Sequence, residues 1–249
     1  MGTKPNYPEM TDNGRYNVIG TRPIRHDGED KVTGRAVYGA DVRPADLLHG
    51  KILRSPHAHA RIKRIDTSKA ELFEGVRAVA TADDLVATVD KMSTIGETTV
   101  NIREIASNSL ASDKVLYKGH AIAAIAATSP HIAEEALELI EVEYEILPAV
   151  VDVLEAMKDD APLLDENRTT RELGEDSGRK SNVSSRNQQD SGDVAAGFAA
   201  ADVVVEREFR TATIHQGYIE PHVTTVLWKQ DGSITVWVST QGAFQIRDQ

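Results

Sequence analysis

Residues 115–146, VLYKGHAIAAIAATSPHIAEEALELIEVEYEI, predict a strand, a helix and a second strand in immediate succession. The run Ala121–Ala127 contains only alanine and isoleucine, which is typical of a strand buried on both faces. Ser129 and Pro130 then supply a helix cap and a proline at the first helical position. The apolar residues of the predicted helix share one face: Ile132, Ala136, Leu139 and Ile140.

The second strand is the clearest alternating pattern in the chain. Val142, Tyr144 and Ile146 are predicted to point inward, and the glutamates between them point to solvent. A strand, a helix and a strand in this order predict an α/β (α+β) domain, to which we assign residues 20–150.

The same domain continues upstream of this segment. A short helix that stops at Gly75, a strand over Val76–Thr81 and a helix start at residues 82–84 are predicted. Val37 and Tyr38 lie between two glycines and predict a further short strand. Residues 86–112 are rich in Thr, Ser and Asn, and we expect a long connection there.

The regions outside this domain differ from it in composition. Residues 1–19 are polar and predict a flexible N-terminal arm, and residues 151–194 predict an extended polar linker with little core. Residues 195–249 predict the incomplete start of a second domain. It comprises a brief helix in VAAGFAAA, a strand in DVVVEREFRTATIHQ and a hairpin in VLWKQDGSITVWV.

Composition and charge exclude several classes of function. The chain has 249 residues, a net charge of -11 and no cysteine. The acidic balance disfavours nucleic acid as a partner, and without cysteine the chain cannot itself ligate an iron–sulfur cluster. The N-terminus has no apolar signal-peptide core, and no apolar run is long enough for a membrane span. The expected location is therefore the cytoplasm.

Two groups of histidines are candidates for metal or acid/base chemistry. His57 and His59 are predicted on one face of a strand in HAHARIKRI, where a zinc site is conceivable and a solvated polar face is the simpler interpretation. In HQGYIEPH, His215, Glu220 and His222 are close in sequence, with a structural role as the alternative.

Two further polar features need an interpretation. The row Glu141, Glu143 and Glu145 is better explained as a solvated sheet face than as a cation site. Gln241 follows the predicted hairpin, and a neutral amide at a strand end can donate a hydrogen bond to an oxo or carbonyl group. Val236 and Val238 are predicted to pack the core, with Trp237, Ser239 and Gln241 on the opposite face.

Four segments occur in this order: GTRPIRHDGEDKVTGRAVYGADV, GKILRSPHAHARIKRID, YKGHAIAAIAATSPHIAEEALELIEVEYEILPAV and GDVAAGFAAADVVVEREF. Together they resemble the large subunit of molybdenum hydroxylases, the family of xanthine dehydrogenases, aldehyde oxidases, bacterial carbon monoxide dehydrogenase and 4-hydroxybenzoyl-CoA reductase. The resemblance extends over residues 18–249 and implies an a/b hammerhead domain followed by the first strands of a molybdenum-cofactor-binding domain.

The resemblance also implies site residues, cofactors and partners. Gln241, in STQGAF, matches the glutamine that stands beside the molybdenum and hydrogen-bonds an oxo ligand, and Glu220 matches a scaffold residue near the cofactor. The implied cofactor of the complete enzyme is molybdenum–molybdopterin in its cytosine dinucleotide form. The implied partners are an Fe–S small subunit, an FAD medium subunit and the remaining part of the large subunit. The implied activity is hydroxylation of aldehydes, N-heterocycles or related substrates.

The chain departs from the family pattern in what it lacks. The Gly-rich GGGFGGK-type loop and the late glutamate general base are absent from this sequence. We therefore expect no catalytic residue and no direct metal ligand here, and an inactive chain when it is alone. Met1 is expected to be a true start, and Gln249 a truncation or a split-gene boundary. The alternative is a free-standing hammerhead subunit that docks other chains without catalysis.

Overall fold

The computed structural model describes Tyr16, residues 19–85, 92–95, 98–101, Ile105 and residues 108–248. Most of the predicted N-terminal arm and part of the predicted connection 86–112 lie outside the described residues. The backbone contacts divide the chain into two compact units. One contains the described part of Met1–Pro44 with Tyr218–Thr240, and the other contains Ala45–Gly217 with the chain from Gln241 onward.

The described residues form short strands and helices. The strands are β1 (His49–Arg54), β2 (Ala60–Asp66), β3 (Val76–Thr81), β4 (Met92–Ile95), β5 (Thr98–Asn101), β6 (Lys114–Val115), β7 (Ala121–Ala127), β8 (Glu141–Ile146), β9 (Thr169–Glu172), β10 (Glu175–Lys180), β11 (Ser185–Arg186), β12 (Thr224–Trp228) and β13 (Ile234–Val238). The helices are α1 (Gly28–Thr33), α2 (Ser68–Glu71), α3 (Pro130–Leu137), α4 (Val153–Ala156), α5 (Val194–Ala200) and α6 (Ala243–Asp248).

The predicted buried strand is the centre of the larger unit. β7 lies between β1 and β3 in an antiparallel sheet of order β1-β7-β3. One face of β7 packs against α3, where Ala123 and Ile125 meet Ala133 and Ala136 in one core cluster. Because these side chains are small, the helix lies close to the sheet. The prediction of a strand buried on both faces is confirmed.

A second sheet of order β6-β2-β8 completes this core. Ile122, on the other face of β7, joins Ala60 and Val115 in a second buried cluster. β8 alternates as predicted at Val142 and Tyr144. The prediction that Ile146 points inward is wrong, because its side chain is 69% exposed at the end of the strand. There it pairs with Ala60, whose side chain is too small to cover it.

Local signals place the ends of these elements. The Ser129 side chain accepts a hydrogen bond from the Ile132 amide at 3.2 Å, so the predicted cap of α3 is confirmed. Gly75 has a φ of 91°, and a Cβ there would lie 2.7 Å from Ile132 Cδ1. This position therefore requires glycine for both conformation and space. The strand after it and the helical turn Ala82–Asp84 follow the prediction.

The predicted linker contains regular structure. Residues 151–194 include α4 and a small sheet of order β10-β9-β11, so the expectation of an extended chain is wrong. Side chains tie this segment together: Thr170 is buried and donates to the Val183 carbonyl at 2.8 Å. The sequence pattern did not predict these strands, because they are stabilised by hydrogen bonds and have no alternating apolar face. The domain boundaries themselves stay a prediction.

Three other predictions from local pattern need correction. No strand forms over residues 202–216, because this segment has no pairing neighbour among the described residues. Val37 and Tyr38 are not in a strand either; they lie between the αL glycine Gly34, which ends α1, and the helical turn Gly39–Asp41. The connection 86–112 contains the antiparallel pair β4 and β5. The brief helix in VAAGFAAA is confirmed as α5.

No helix in the part of the chain that the structure describes has the length and apolar character needed to cross a membrane.

Candidate functional site

The β12–β13 hairpin forms through a hydrogen-bonded turn. The Lys229 amide donates to the Ser233 carbonyl at 2.9 Å, and Gly232 adopts a φ of 83°. The Asp231 carboxylate accepts from the Ser233 amide at 2.9 Å and from its hydroxyl at 2.7 Å. These bonds lower the pKa of Asp231, because they favour the charged carboxylate. The two predicted strands and their tight turn are confirmed.

Glu220 lies close to the end of β13. The Ser239 hydroxyl is 3.3 Å from Glu220 Oε1 and 3.3 Å from the Pro221 carbonyl, and the Ser239 amide donates to the Val223 carbonyl at 3.3 Å. The chain before β12 is thereby held against the chain after β13. Glu220 is exposed, so its carboxylate is open to a ligand. Ser239 is the residue of this site whose role the sequence pattern did not predict.

Gln241 lies between β13 and α6. Its side chain is exposed, and the next residue, Gly242, accepts a hydrogen bond from the Ile246 amide at 3.0 Å as α6 begins. Gln241 belongs to the larger unit, whereas Glu220 and Ser239 belong to the smaller one. The exposed side-chain amide of Gln241 lies just before α6, and its N–H groups can donate a hydrogen bond to a ligand oxygen.

The predicted faces of β13 are only partly correct. Val236 was expected in the core, but it is exposed and pairs with the exposed Val226. Trp237 is half-buried opposite the buried Thr225, so the covered face of the hairpin is the one that carries these two residues. The prediction for Val236 is wrong because alternation identifies two faces without identifying which one is covered.

The histidines have separate structural roles. His57 and His59 both precede β2, so they do not share a strand face as predicted. His59 is buried and its Nδ1 lies 2.7 Å from the Pro148 carbonyl, whereas the His57 ring meets Tyr144 edge-on at 4.9 Å. Among the described residues, no group of three or more His, Cys, Asp or Glu is arranged to hold a metal ion.

The other polar candidates also have local partners. His222 stacks on Tyr218 at 4.6 Å, and His215 Nδ1 accepts from the Gly217 amide at 3.0 Å. On the outer face of β8, Glu145 pairs with Lys63 at 2.6 Å, and Glu141 pairs with Lys69. These carboxylates belong to a solvated, ion-paired sheet face, as the simpler interpretation predicted.

Two family models match the chain in succession. The model described as aldehyde oxidase and xanthine dehydrogenase, a/b hammerhead domain, matches residues 33–148. The model described as molybdopterin cofactor-binding domain matches residues 176–249. The first match contains β7, α3 and both sheets of the buried core, and the second contains β12, β13, Glu220 and Gln241.

Curated relatives and solved structures agree with these matches. The nicotinate dehydrogenase large molybdopterin subunit of Eubacterium barkeri is 32% identical over 226 residues, covering 91% of this chain and 48% of that protein. The carbon monoxide dehydrogenase large chain of Afipia carboxidovorans is 36% identical over 218 residues, covering 86% and 26%. A Cu,Mo-CO dehydrogenase crystal structure aligns with a TM-score of 0.73 at 33% identity, over 92% of this chain and 28% of the other. The chain spans about half or less of these proteins.

Gln241 and Glu220 lie in different units, so each is considered by itself as a contact for a molybdopterin cofactor. The neutral, exposed Gln241 amide can donate to a metal oxo group without adding charge. The exposed Glu220 carboxylate would repel a phosphate group placed beside it. The fold, the two successive family matches and the relatives agree, and the chain therefore belongs to the molybdenum hydroxylases, where it corresponds to the N-terminal portion of the large, molybdopterin-binding subunit.

Proposed function

We propose that this chain contributes the hammerhead and the opening of the cofactor-binding domain to a molybdenum-dependent hydroxylase of the xanthine dehydrogenase and aldehyde oxidase type. Its substrates are aldehydes, N-heterocycles or related small molecules. The observation that carries the proposal is the order of the two family matches on one chain, hammerhead first and cofactor-binding domain second. The site of action is the cytoplasm.

The proposal divides the redox chemistry among subunits. This chain has no cysteine, so the Fe–S clusters that receive the electrons belong to a small partner subunit, and FAD belongs to a medium one. The names of the relatives support a complex of several chains, since they include a large molybdopterin subunit, a large chain and the gamma subunit of a dehydrogenase complex. The remaining part of the large subunit supplies the rest of the cofactor pocket.

Within this division, Gln241 is the residue of this chain that acts nearest the metal. When bound, molybdenum–molybdopterin, in its cytosine dinucleotide form, supplies the two-electron oxidation of the substrate carbon. With the cofactor bound, the Gln241 side-chain amide would donate a hydrogen bond to an oxygen of the metal centre and would stabilise negative charge there. Glu220, held by Ser239, keeps the chain before β12 in place beside the end of β13.

The test is the complex purified from its native host through a tag on this chain. We expect stoichiometric molybdenum and iron, FAD and acid-released CMP, together with dye-linked oxidation of one of carbon monoxide, xanthine, nicotinate or an aromatic aldehyde. Gln241→Ala should keep the metal content and reduce kcat by about tenfold, less than the loss at an oxyanion hole. Gln216→Ala, an exposed glutamine outside the proposed site, is the matched control.

Two results would contradict the proposal. A complex without molybdenum and without oxidation of any of these substrates would favour the docking subunit without catalysis. An unchanged kcat in Gln241→Ala at normal metal content would remove Gln241 from the site. The 249-residue chain by itself is expected to hold no stoichiometric molybdenum, because the Gly-rich loop typical of the family is not in its sequence.

A further inference from the structure

Lys114 is a buried cation with two acceptors from a distant part of the chain. Its side chain is 6% exposed, and its Nζ lies 2.5 Å from Glu166 Oε2 and donates to the Leu164 carbonyl at 3.1 Å. Lys114 begins β6, which pairs with β2 in the hammerhead core. A buried ammonium group without acceptors is strongly unfavourable, so these two contacts are what permit its burial.

The segment that supplies these acceptors is internally tied, and we call residues 164–186 the strap. The Leu164 amide donates to Asn182 Oδ1 at 2.8 Å. Asn182 Nδ2 donates to the carbonyls of Pro162 and Ala156, which precede the strap, at 3.0 Å each. The Arg171 amide donates to the Ser184 carbonyl at 3.0 Å, within the sheet of β9, β10 and β11. Residues 164–166 are therefore hydrogen-bonded to the chain between β10 and β11 of the small sheet.

The position of this contact along the chain gives it a role. Lys114 lies within the hammerhead match, whereas β11 and all but the first residue of β10 lie within the molybdopterin cofactor-binding match. We propose that Lys114 is a latch that, through Glu166 and the Leu164 carbonyl, fastens the strap and with it the start of the cofactor-binding region to the hammerhead core.

The two ends of the latch differ in their access to water. Glu166 is 53% exposed, so its carboxylate can be rehydrated when the strap lifts, whereas the Lys114 ammonium remains in the core without a partner. Lys114 lowers the pKa of Glu166 through their hydrogen bond, and Arg61 on β2 adds a smaller effect. The closed strap is thus favoured mainly because opening it would leave Lys114 uncompensated.

The ion pair Lys63–Glu145 provides a matched comparison in the same unit. Its atoms are 2.6 Å apart, but both side chains are about half-exposed. Removing one member of this pair should have little effect on the stability of the surrounding structure, because both charges are in contact with water.

The test is amide hydrogen exchange, by mass spectrometry, of the full 249-residue chain and its variants. Lys114→Met and Glu166→Ala should each accelerate exchange of the strap amides, those of Leu164 and Arg171 among them, by at least about tenfold. The amides of β7 should exchange as in the parent chain. The control Lys63→Met should leave the strap unchanged.

Each other outcome overturns the latch. Unchanged strap protection in both variants means that the contact does not hold the segment. Parallel acceleration in β7 means that the pair stabilises the whole unit instead. If Lys114→Met does not fold, as judged by circular dichroism, Glu166→Ala alone decides, because Glu166 is half-exposed and its loss leaves the core packing unaltered. None of these measurements needs the cofactor, so failure of the latch and failure of the proposed function are distinguishable.

Discussion

Residues Ala121–Ala127 and residues 203–209 are two segments for which the sequence predicts a strand. The first, AIAAIAA, forms β7 between two antiparallel neighbours, and five of its seven residues are buried. The second, VVVEREF, forms no strand, and Val203, Val204, Val205 and Phe209 are all exposed. The first run has two sheet neighbours and a covering helix, and the second has no pairing neighbour among the described residues. β-propensity is therefore realised only where partners satisfy the backbone.

The comparison predicts a large difference in the loss of unfolding free energy when an apolar side chain is truncated to alanine in each region. Ile125 is 1% exposed in β7. The substitution Ile125→Ala should lower the unfolding free energy by about 3 kcal/mol, because it removes buried apolar surface and leaves a cavity. Val204 is 59% exposed, so Val204→Ala should change the unfolding free energy by less than about 0.5 kcal/mol. Urea unfolding of the 249-residue chain, followed by circular dichroism, measures both. Equal costs would mean that residues 203–209 are buried in solution.

Gly75 and Gly119 separate the contribution of space from that of conformation. Both have a positive φ, of 91° and 89°, but a Cβ at Gly75 would meet Ile132 and Thr128 whereas nothing lies within 4 Å at Gly119. Gly75→Ala should therefore cost about 2–3 kcal/mol, and Gly119→Ala about 1 kcal/mol. The difference between their urea midpoints is the measurement. A larger loss at Gly119 would contradict the packing assigned to Gly75.

The helices next to these two regions, α3 after β7 and α5 before residues 203–209, can be compared through their N-terminal caps. Ser129 caps α3, which contains buried alanines. Asp193 caps α5, which contains no buried residue, and the Asp193 carboxylate accepts a hydrogen bond from the Ala196 amide at 2.9 Å. Ser129→Ala should lower global stability by about 1 kcal/mol. Asp193→Ala should fray α5 locally and leave the unfolding midpoint almost unchanged. A global loss for Asp193→Ala would show that α5 unfolds together with the core.

The smallest effect is expected from acid. Burial lowers the pKa of His120 below its ordinary value of 6.5. Nδ1 of the neutral ring accepts from the Leu116 amide at 3.2 Å, and Nε2 donates to the Asn108 carbonyl at 3.1 Å. Below about pH 6.5 the unfolded chain takes up a proton that the folded chain resists, so stability should fall as the pH falls. The unfolding midpoint should drop between pH 7.5 and 5.5, with a shallower slope in His120→Gln; an identical slope would contradict this assignment.

The fold was predictable where the relevant contacts are local in sequence. The alternating strand β8, the capped helix α3 and the turn of the β12–β13 hairpin all have their signals within a few residues. The small sheet of the strap was not predictable, since Thr170 and Asn182 stabilise it through backbone contacts that no hydrophobic period reports. The same holds for Lys114, whose partner lies more than fifty residues further along the chain.

The candidate site was predictable only in part. Gln241 and Glu220 came from the family resemblance, and their roles stay predictions. The bond between Ser239 and Glu220 needed the hairpin, because it joins residues nineteen positions apart. The histidine pair failed as a site because β2 begins only at Ala60. His57 and His59 therefore lie outside the strand, and the period-two alternation that would place both side chains on one face does not apply to them.

The contact between β7 and α3 has a consequence for the direction in which mutations cause damage. Ala123, Ala127, Ala133 and Ala136 are fully buried where the helix meets the sheet. An alanine has only a methyl group to lose, so deletions of volume are nearly exhausted at these four positions. Almost every replacement there instead adds atoms and must push α3 away from the strand. Random mutagenesis should therefore find this contact intolerant of larger residues and comparatively tolerant of glycine in β7, the reverse of the pattern expected at Ile122 and Ile125.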